Sequence, residues 1–279
     1  TLGYGVGGST LLYAAQLERF HASDFEPRKY HLGDQNHSLP EKWPITYEEI
    51  LPFYKEAEML LNVGGGKDPY QQEADQSHLL HRKIVPTDVE YIDEINKCGL
   101  NSYIAHVIED TNNACKGCGG MLCDKLCRRD VMSLCIIPAI KHHGASLIDM
   151  CEVISLNYEN GTITSINVRH SNQQKIFKGK SFVLAAGAIF TPKILLNSKS
   201  TDHPKGLGNN NGFVGKNLMW HASDFFVLRP KKSIEPATNS KLIACNDFYK
   251  YKNQKLGTFQ SGGTKIKAEQ LESFLSKRS

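Results

Sequence analysis

The sequence predicts an α/β fold, α+β overall, in which a small antiparallel meander leads into a buried strand and a helix, with further antiparallel strands beyond. Three observations predict it. A glycine-rich loop, Gly3-Tyr4-Gly5-Val6-Gly7-Gly8-Ser9-Thr10, runs into apolar residues near the amino terminus. Two stretches of strand-like composition flank Asn160-Gly161, a pair suited to the positive backbone angles of a tight hairpin turn. Just downstream, residues 181–186 are apolar almost throughout and are closed by Gly187, as expected of a strand covered on both faces.

In chain order, the glycine loop comes first. Leu11, Leu12, Ala14, Ala15 and Leu17 follow it at helical spacing, so a helix is expected there. Glycine allows a ligand close to the backbone, and first-turn N–H groups with the helix dipole favour an anion. An ordinary glycine turn before a core helix reads equally well, because the strict dinucleotide spacing is lacking. Residues 24–42, with Pro27, Gly33 and Pro40, read as a surface loop. Thr46 and Glu49 then form a capping box. Behind it Ile50, Tyr54, Ala57 and Leu61 share a helix face until Gly64-Gly65-Gly66, with a bend expected at Pro52.

The period changes in the second half. Residues 153–159 and 162–170 pair across Asn160-Gly161, and Ser171-Asn172 turns the chain again toward Ile176-Phe177. The buried strand 181–186 follows, then a helix with Thr191 as its cap and Pro192 at its first position. In this class a ligand sits at the carboxyl end of such a strand. Beyond Val214-Gly215-Lys216-Asn217, residues 224–228 and 241–248 read as strands of a second antiparallel unit, and residues 265–279 are polar and helix-prone. The expected segments are 1–62, 63–144, 145–222 and 223–279.

Composition excludes several classes. The 279 residues are 40% hydrophobic, enough for a sizeable core, which sets disorder aside. With 33 basic and 29 acidic residues the net charge is only +4, and no basic run follows a phosphate backbone, so nucleic acid is not an expected partner. No apolar stretch approaches the roughly 18–20 residues of a transmembrane helix, and the longest, 182–190, is interrupted by Gly187. The chain opens on Thr-Leu-Gly, so any targeting signal would lie upstream, and the compartment, cytoplasmic or periplasmic, is unread.

Four of the eight cysteines, Cys115, Cys118, Cys123 and Cys127, are candidate metal ligands. Their number suits tetrahedral zinc or an iron-sulfur cluster, although the middle gap and Arg128 depart from the ferredoxin run. Disulfides, or unligated thiols packing as small hydrophobes, stay open. Cys98, Cys135, Cys151 and Cys245 read as core residues.

Four separated segments together resemble the glucose-methanol-choline oxidoreductase family. They are Gly5-Val6-Gly7-Gly8-Ser9-Thr10; Trp43-Pro44-Ile45-Thr46-Tyr47 with Pro52-Phe53-Tyr54; Val183-Leu184-Ala185-Ala186-Gly187-Ala188 with Thr191-Pro192; and Gly206-Leu207-Gly208-Asn209 with Val214-Gly215-Lys216-Asn217-Leu218-Met219 and His221. The resemblance implies a Rossmann-like FAD-binding fold with its β-meander, followed by the start of an antiparallel substrate domain. It implies FAD as cofactor and hydride transfer to the flavin from a CH–OH group of a small-molecule alcohol or sugar. Gly7, Gly8, Ser9 and Thr10 are similar to the flavin and pyrophosphate contacts, Val153 to the adenine contact, and Ala186 with Gly187 to the close-approach turn.

The sequence departs from the family pattern in places. Leu12-Tyr13 stands where many members have Asn, and Trp220 precedes His221 where the usual residue is Asp. His221 is similar to a non-catalytic His, and the remaining histidines, including His142 and His143, have no carboxylate or nucleophile at a telling spacing, so packing or solvated roles are expected. The family's opening Gly-x-Gly-x-x-Gly strand is expected before Thr1 and its catalytic His, a general base, after Ser279. No catalytic residue is therefore expected within the chain, and the chain alone is expected not to turn over substrate. Some membrane-linked sugar dehydrogenases of the family carry a three-iron cluster near the position of the four cysteines, which would imply an electron-acceptor partner; other members keep such a stretch without one. Competing readings are a non-enzymatic metal or electron-transfer module and a degenerate relative retained for binding.

Overall fold

The computed structural model describes residues 3, 5–31, 39–71, 76, 78–82, 84, 86–108, 130–227, 242–252, 254–262, 269, 272, 273 and 276. In chain order the elements are a 3-10 turn Gly8–Leu11, a second at Ala22–Phe25, α1 (Pro27–Tyr30), α2 (Tyr47–Leu61), β1 (Val63–Gly64), α3 (Pro86–Lys97), β2 (Ser102–Ile104) and β3 (Val107–Ile108). They continue with a π-turn Met132–Ile136, α4 (Ile137–His143), β4 (Cys151–Glu159), β5 (Thr162–His170), β6 (Gln173–Lys178), α5 (Gly187–Asn197), β7 (Ile243–Cys245) and β8 (Phe259–Gln260). Helix and sheet are mixed, and every ladder between named strands is antiparallel. The chain divides into two compact units, residues 1–145 with 228–279, and residues 146–227.

In the first unit, β2, β7 and β8 form one small sheet and β1 pairs with β3. Its core is Tyr103, Ala105 and Ala244, with Leu242, Ile243, Val63 and Val107 also buried. The expected helix over Leu11–Leu17 does not form. After the single turn Gly8–Leu11 the chain runs extended: Leu17 N–H donates to the His106 carbonyl at 2.8 Å and Ile108 N–H to the Ala15 carbonyl at 2.8 Å, while Ala15 adopts φ +61°. An isolated helix of two turns is marginal, and pairing beside β3 satisfies the same backbone groups.

Helix α2 starts where its capping box directs. Thr46 Oγ1 accepts from Glu49 N–H at 3.2 Å and Glu49 Oε2 accepts from Thr46 N–H at 2.7 Å. It ends at Asn62, in the left-handed region at φ +52°, so Val63 and Gly64 enter β1 before the glycine run is complete. Trp43, just before the cap, packs tilted against buried Phe25 at 5.2 Å and edge-on to Phe20 at 5.6 Å, and Phe25 in turn meets Tyr47 at 5.8 Å. That aromatic cluster ties the segment 20–25 to the start of α2. The expected surface loop therefore folds locally into the Ala22–Phe25 turn and α1.

In the second unit the meander forms as expected, in the order β4-β5-β6. Both turns carry positive φ at their two central residues, Asn160 (+49°) with Gly161 (+83°) and Ser171 (+51°) with Asn172 (+60°), matching the right-handed twist of the strands. One face carries an amide ladder: Asn157 Nδ2 donates to Ser165 Oγ at 2.8 Å, and Asn167 Nδ2 donates to Asn157 Oδ1 at 2.7 Å. The opposite phase includes Val168, buried, and helix α5 contributes buried Ile194. The end of α5 ties to β4, because Leu156 N–H donates to Ser198 Oγ at 2.8 Å.

Two expectations fail in this unit. Residues 181–186 are not a strand and are not buried; Val183 is 92% exposed. A strand needs a ladder partner for its backbone groups, and the three meander strands pair among themselves. Helix α5 begins at Gly187, one turn before Thr191, so Pro192 lies inside it. Thr191 Oγ1 nevertheless accepts from Ala186 N–H at 3.1 Å, holding the turn that precedes the helix.

Candidate functional site

The glycine loop is held by its own backbone and hydroxyls. Gly8 N–H donates to the Gly5 carbonyl at 3.0 Å, and Gly3 N–H donates to Ser9 Oγ at 3.3 Å. Thr10 Oγ1 donates to the Gly7 carbonyl at 2.6 Å and accepts from Val131 N–H at 3.2 Å. The two sides of the loop differ. A Cβ at Gly3 would lie 2.4 Å from Ser9 Cα, and one at Gly7 would meet Leu11 and Met132, so these glycines face protein. At Gly5 and Gly8 a Cβ would meet nothing within 4 Å. With φ at +57°, Gly8 leaves open a stretch of backbone that a ligand can approach.

The structure thus brings Gly7, Gly8, Ser9 and Thr10 together in one loop but corrects the expected source of anion affinity. A four-residue 3-10 turn replaces the helix, so there is no aligned macrodipole, and what remains is open backbone. In the second unit, Ala186 and Gly187 head α5, with Gly187 at φ +79° and open space around its Cα. Val153 lies on β4 at a bulge that shifts the register between Val153 and Ser155; a bulge re-aims backbone groups, as sequence alternation alone does not reveal. Cys115, Cys118, Cys123 and Cys127 lie outside the described residues. His221 is exposed.

Sequence reasoning missed a buried polar network in the first unit. Arg19 Nε and Nη2 donate to Glu58 Oε1 and Oε2 at 2.6 and 2.5 Å, and His78 Nε2 lies 2.5 Å from Glu58 Oε2. Burial alone would raise Glu58, but the hydrogen bonds from Arg19 and His78 prevail and hold it below the usual carboxylate range. Asn246 Nδ2 donates to Asp68 Oδ2 and to Tyr103 Oη, both at 2.9 Å, and Tyr103 donates to Glu18 Oε2 at 3.1 Å. Burial, with Glu18 and Asp68 beside it, pushes the Tyr103 phenol far up, so it stays protonated. His21 stacks on Tyr249 at 4.2 Å and faces Asp68 at 3.5 Å; burial nonetheless lowers it. Asp68 and Asn246 in this network are 178 residues apart, a separation that sequence spacing does not encode.

A nearer satellite surrounds Asp247, which accepts from Tyr70 Oη at 2.6 Å, Asn101 N–H at 2.9 Å and Cys245 Sγ at 2.9 Å. Burial opposes ionisation, yet these donors prevail and Asp247 falls to about 2. Burial and Asp247 push the Cys245 thiol up to about 11, so it remains a protonated donor. These groups are saturated by one another and brace the β2–β7 sheet rather than present a reactive atom.

The first unit thus holds a glycine loop open at Gly5 and Gly8 together with a buried polar network, and the second a meander with a helix. The chain belongs to the GMC oxidoreductase family, whose family model matches residues 1–223. It is 27% identical to fructose dehydrogenase large subunit of Gluconobacter japonicus over 78% of this chain and 41% of that protein. It is 25% identical to paromamine 6′-oxidase of Streptomyces fradiae, over 79% of the chain and 41% of that protein. To 2-methyl-1,2-propanediol dehydrogenase of Mycolicibacterium austroafricanum it is 27% identical, over 77% and 40%. The chain therefore spans about two-fifths of the length of these relatives. Among the described residues no helix is long and apolar enough to cross a membrane, and no group of His, Cys, Asp and Glu is placed to hold a metal ion.

Proposed function

We propose that this chain forms FAD-binding parts of an oxidoreductase acting on a CH–OH group of a small-molecule alcohol or sugar. The observation that carries the reading is the family match over residues 1–223, which includes a glycine loop whose backbone is open at Gly8. Gly7, Gly8, Ser9 and Thr10 in the first unit, and Val153, Ala186 and Gly187 in the second, are the proposed cofactor contacts. Open space at Gly8 and Gly187, both at positive φ, fits a group that approaches bare backbone. Three relatives named for fructose, paromamine and 2-methyl-1,2-propanediol support the substrate class. The Rossmann-like arrangement is part of this proposal.

When bound, FAD supplies the two-electron acceptor for the hydride. The chain's own residues hold and shape. Thr10 locks the loop to Val131, so that Gly8 is presented in one conformation. Thr191 fixes the Ala186–Gly187 turn in the same manner. The four cysteines are proposed as the place where an iron-sulfur cluster, and hence a route to an electron acceptor, would sit.

The test is the colour of the purified protein carrying this chain, with FAD identified after release from the denatured protein. Flavin absorbance and stoichiometric FAD are expected; Gly8→Val is expected to weaken retention by at least about tenfold, roughly the worth of one lost backbone contact. Trp43 fluorescence checks that this variant is folded. A colourless protein that takes up no added FAD overturns the proposal. Iron at about three or four per chain, with a broad brown absorbance, would assign the cluster, and its absence would remove that part alone.

A further inference from the structure

His106 is 1% exposed, between β2 and β3, and its ring is placed by the main chain around it. A Cβ at Gly65 would lie 2.4 Å from His106 Cδ2, so the glycine makes room for the ring. Nε2 lies 2.7 Å from the Gly66 carbonyl, an acceptor only, so Nε2 must carry hydrogen. Nδ1 lies 3.1 Å from Glu18 Oε2, out of hydrogen-bond alignment but at ion-pair distance. A bare Nδ1 lone pair facing that carboxylate would be repelled; an Nδ1–H is attracted. Glu18 is positioned by two further donors, since His106 N–H reaches Oε1 at 2.8 Å and Tyr103 reaches Oε2 at 3.1 Å.

We propose that His106 is held as a buried imidazolium that clamps three segments, the extended stretch after the glycine loop, the turn after β1 and the β2–β3 connection, so that alkali loosens the glycine-loop segment. The two ring nitrogens face acceptors on different segments. Glu18 comes from the loop segment, the Gly66 carbonyl from the β1 side, and the Tyr103 ring, 5.7 Å away, from β2. From α2 the Glu58 charge also favours the proton, although Arg19 and His78 already engage it. Asp68 lies beyond Tyr103 and is shared by Asn246 and His21. Burial by itself would strip the proton, yet Glu18, the Gly66 carbonyl and Glu58 together outweigh it and the group is raised above its ordinary value. This inference uses the first unit alone and stands whether or not the flavin reading holds.

A group raised in the folded state stabilises fully below its unfolded value, near 6.5, and that stability is lost as pH rises through its folded value. Nitrogen-15 chemical shifts of the histidine rings in the intact chain give the first readout. Both His106 nitrogens are expected in the protonated range at neutral pH; one bare nitrogen there overturns the proposal. The second readout is urea unfolding followed by Trp43 fluorescence. Relative to His106→Gln, the wild-type folding constant is expected to fall about tenfold for each pH unit between the unfolded and folded values. A wild type and variant with the same pH dependence in that window overturn it. The ring shifts keep the test decisive if the variant fails to fold.

Discussion

Glu58→Ala is the most informative perturbation of the first unit. Arg19 and Glu58 side chains are 2% and 7% exposed, so the substitution leaves a guanidinium in the interior without its carboxylate. Three charge-assisted contacts are lost, from Arg19 Nε, Arg19 Nη2 and His78 Nε2. At about 1.5–3 kcal/mol each their simple sum reaches about 5–9 kcal/mol. Water entry beside His78, which is 15% exposed, returns part of that sum, and a loss of about 3–5 kcal/mol is expected, as for other broken buried pairs. The assay is urea unfolding read by Trp43, with Trp220→Phe removing the other of the two tryptophans. For a slope near 2 kcal/mol per molar urea the midpoint falls by about 1.5–2.5 M. The double variant Arg19→Met with Glu58→Leu removes both charges, and its midpoint is expected within about 0.5 M of the parent. A single variant within about 0.3 M of the parent, or a double variant as weak as the single, would refute the argument that desolvation of an unpaired charge sets the cost.

Two further predictions concern other elements. Gly161→Val, at φ +83° in the meander turn, is expected to cost about 1–2 kcal/mol and to speed amide exchange across β4 and β5 first, which nuclear magnetic resonance would follow; unchanged exchange there would refute the turn assignment. Asp247 is depressed to about 2, so its stabilisation is present above the ordinary aspartate value and is lost as pH falls below it. Because Asp247 is only partly buried, about 1 kcal/mol is expected, seen as a loss of urea resistance between pH 5 and pH 2.5 that Asp247→Asn lacks.

What was legible in the sequence was decided by neighbours along the chain. Thr46 and Glu49 reach each other across three residues, and Asn160 and Gly161 choose their turn by backbone preference alone, so both signals survive any tertiary context. The residues after the glycine loop had no such autonomy. Their apolar spacing suits a helix, but the carbonyl of His106 and the N–H of Ile108 offer extended pairing, and the longer-range partner wins. Residues 181–186 read as covered on both faces because their composition reports the environment such residues require, which is a separate matter from the ladder that makes a strand.

The glycines make the distinction concrete. Gly161 and Gly8 are needed for conformation, since both lie at positive φ where a side chain is strained. Gly65 is not at positive φ; its constraint is volume, because the His106 ring occupies the place of its side chain. The run Gly64-Gly65-Gly66 therefore looks in sequence like a helix stop, while α2 has already ended at Asn62 and the glycines serve a histidine forty residues downstream. A glycine required by local φ can be read from the chain, but one required by a distant ring is readable only with its partner in place. That is why a glycine turn at Gly8 was accessible to sequence reasoning and the Glu18–His106 clamp was not.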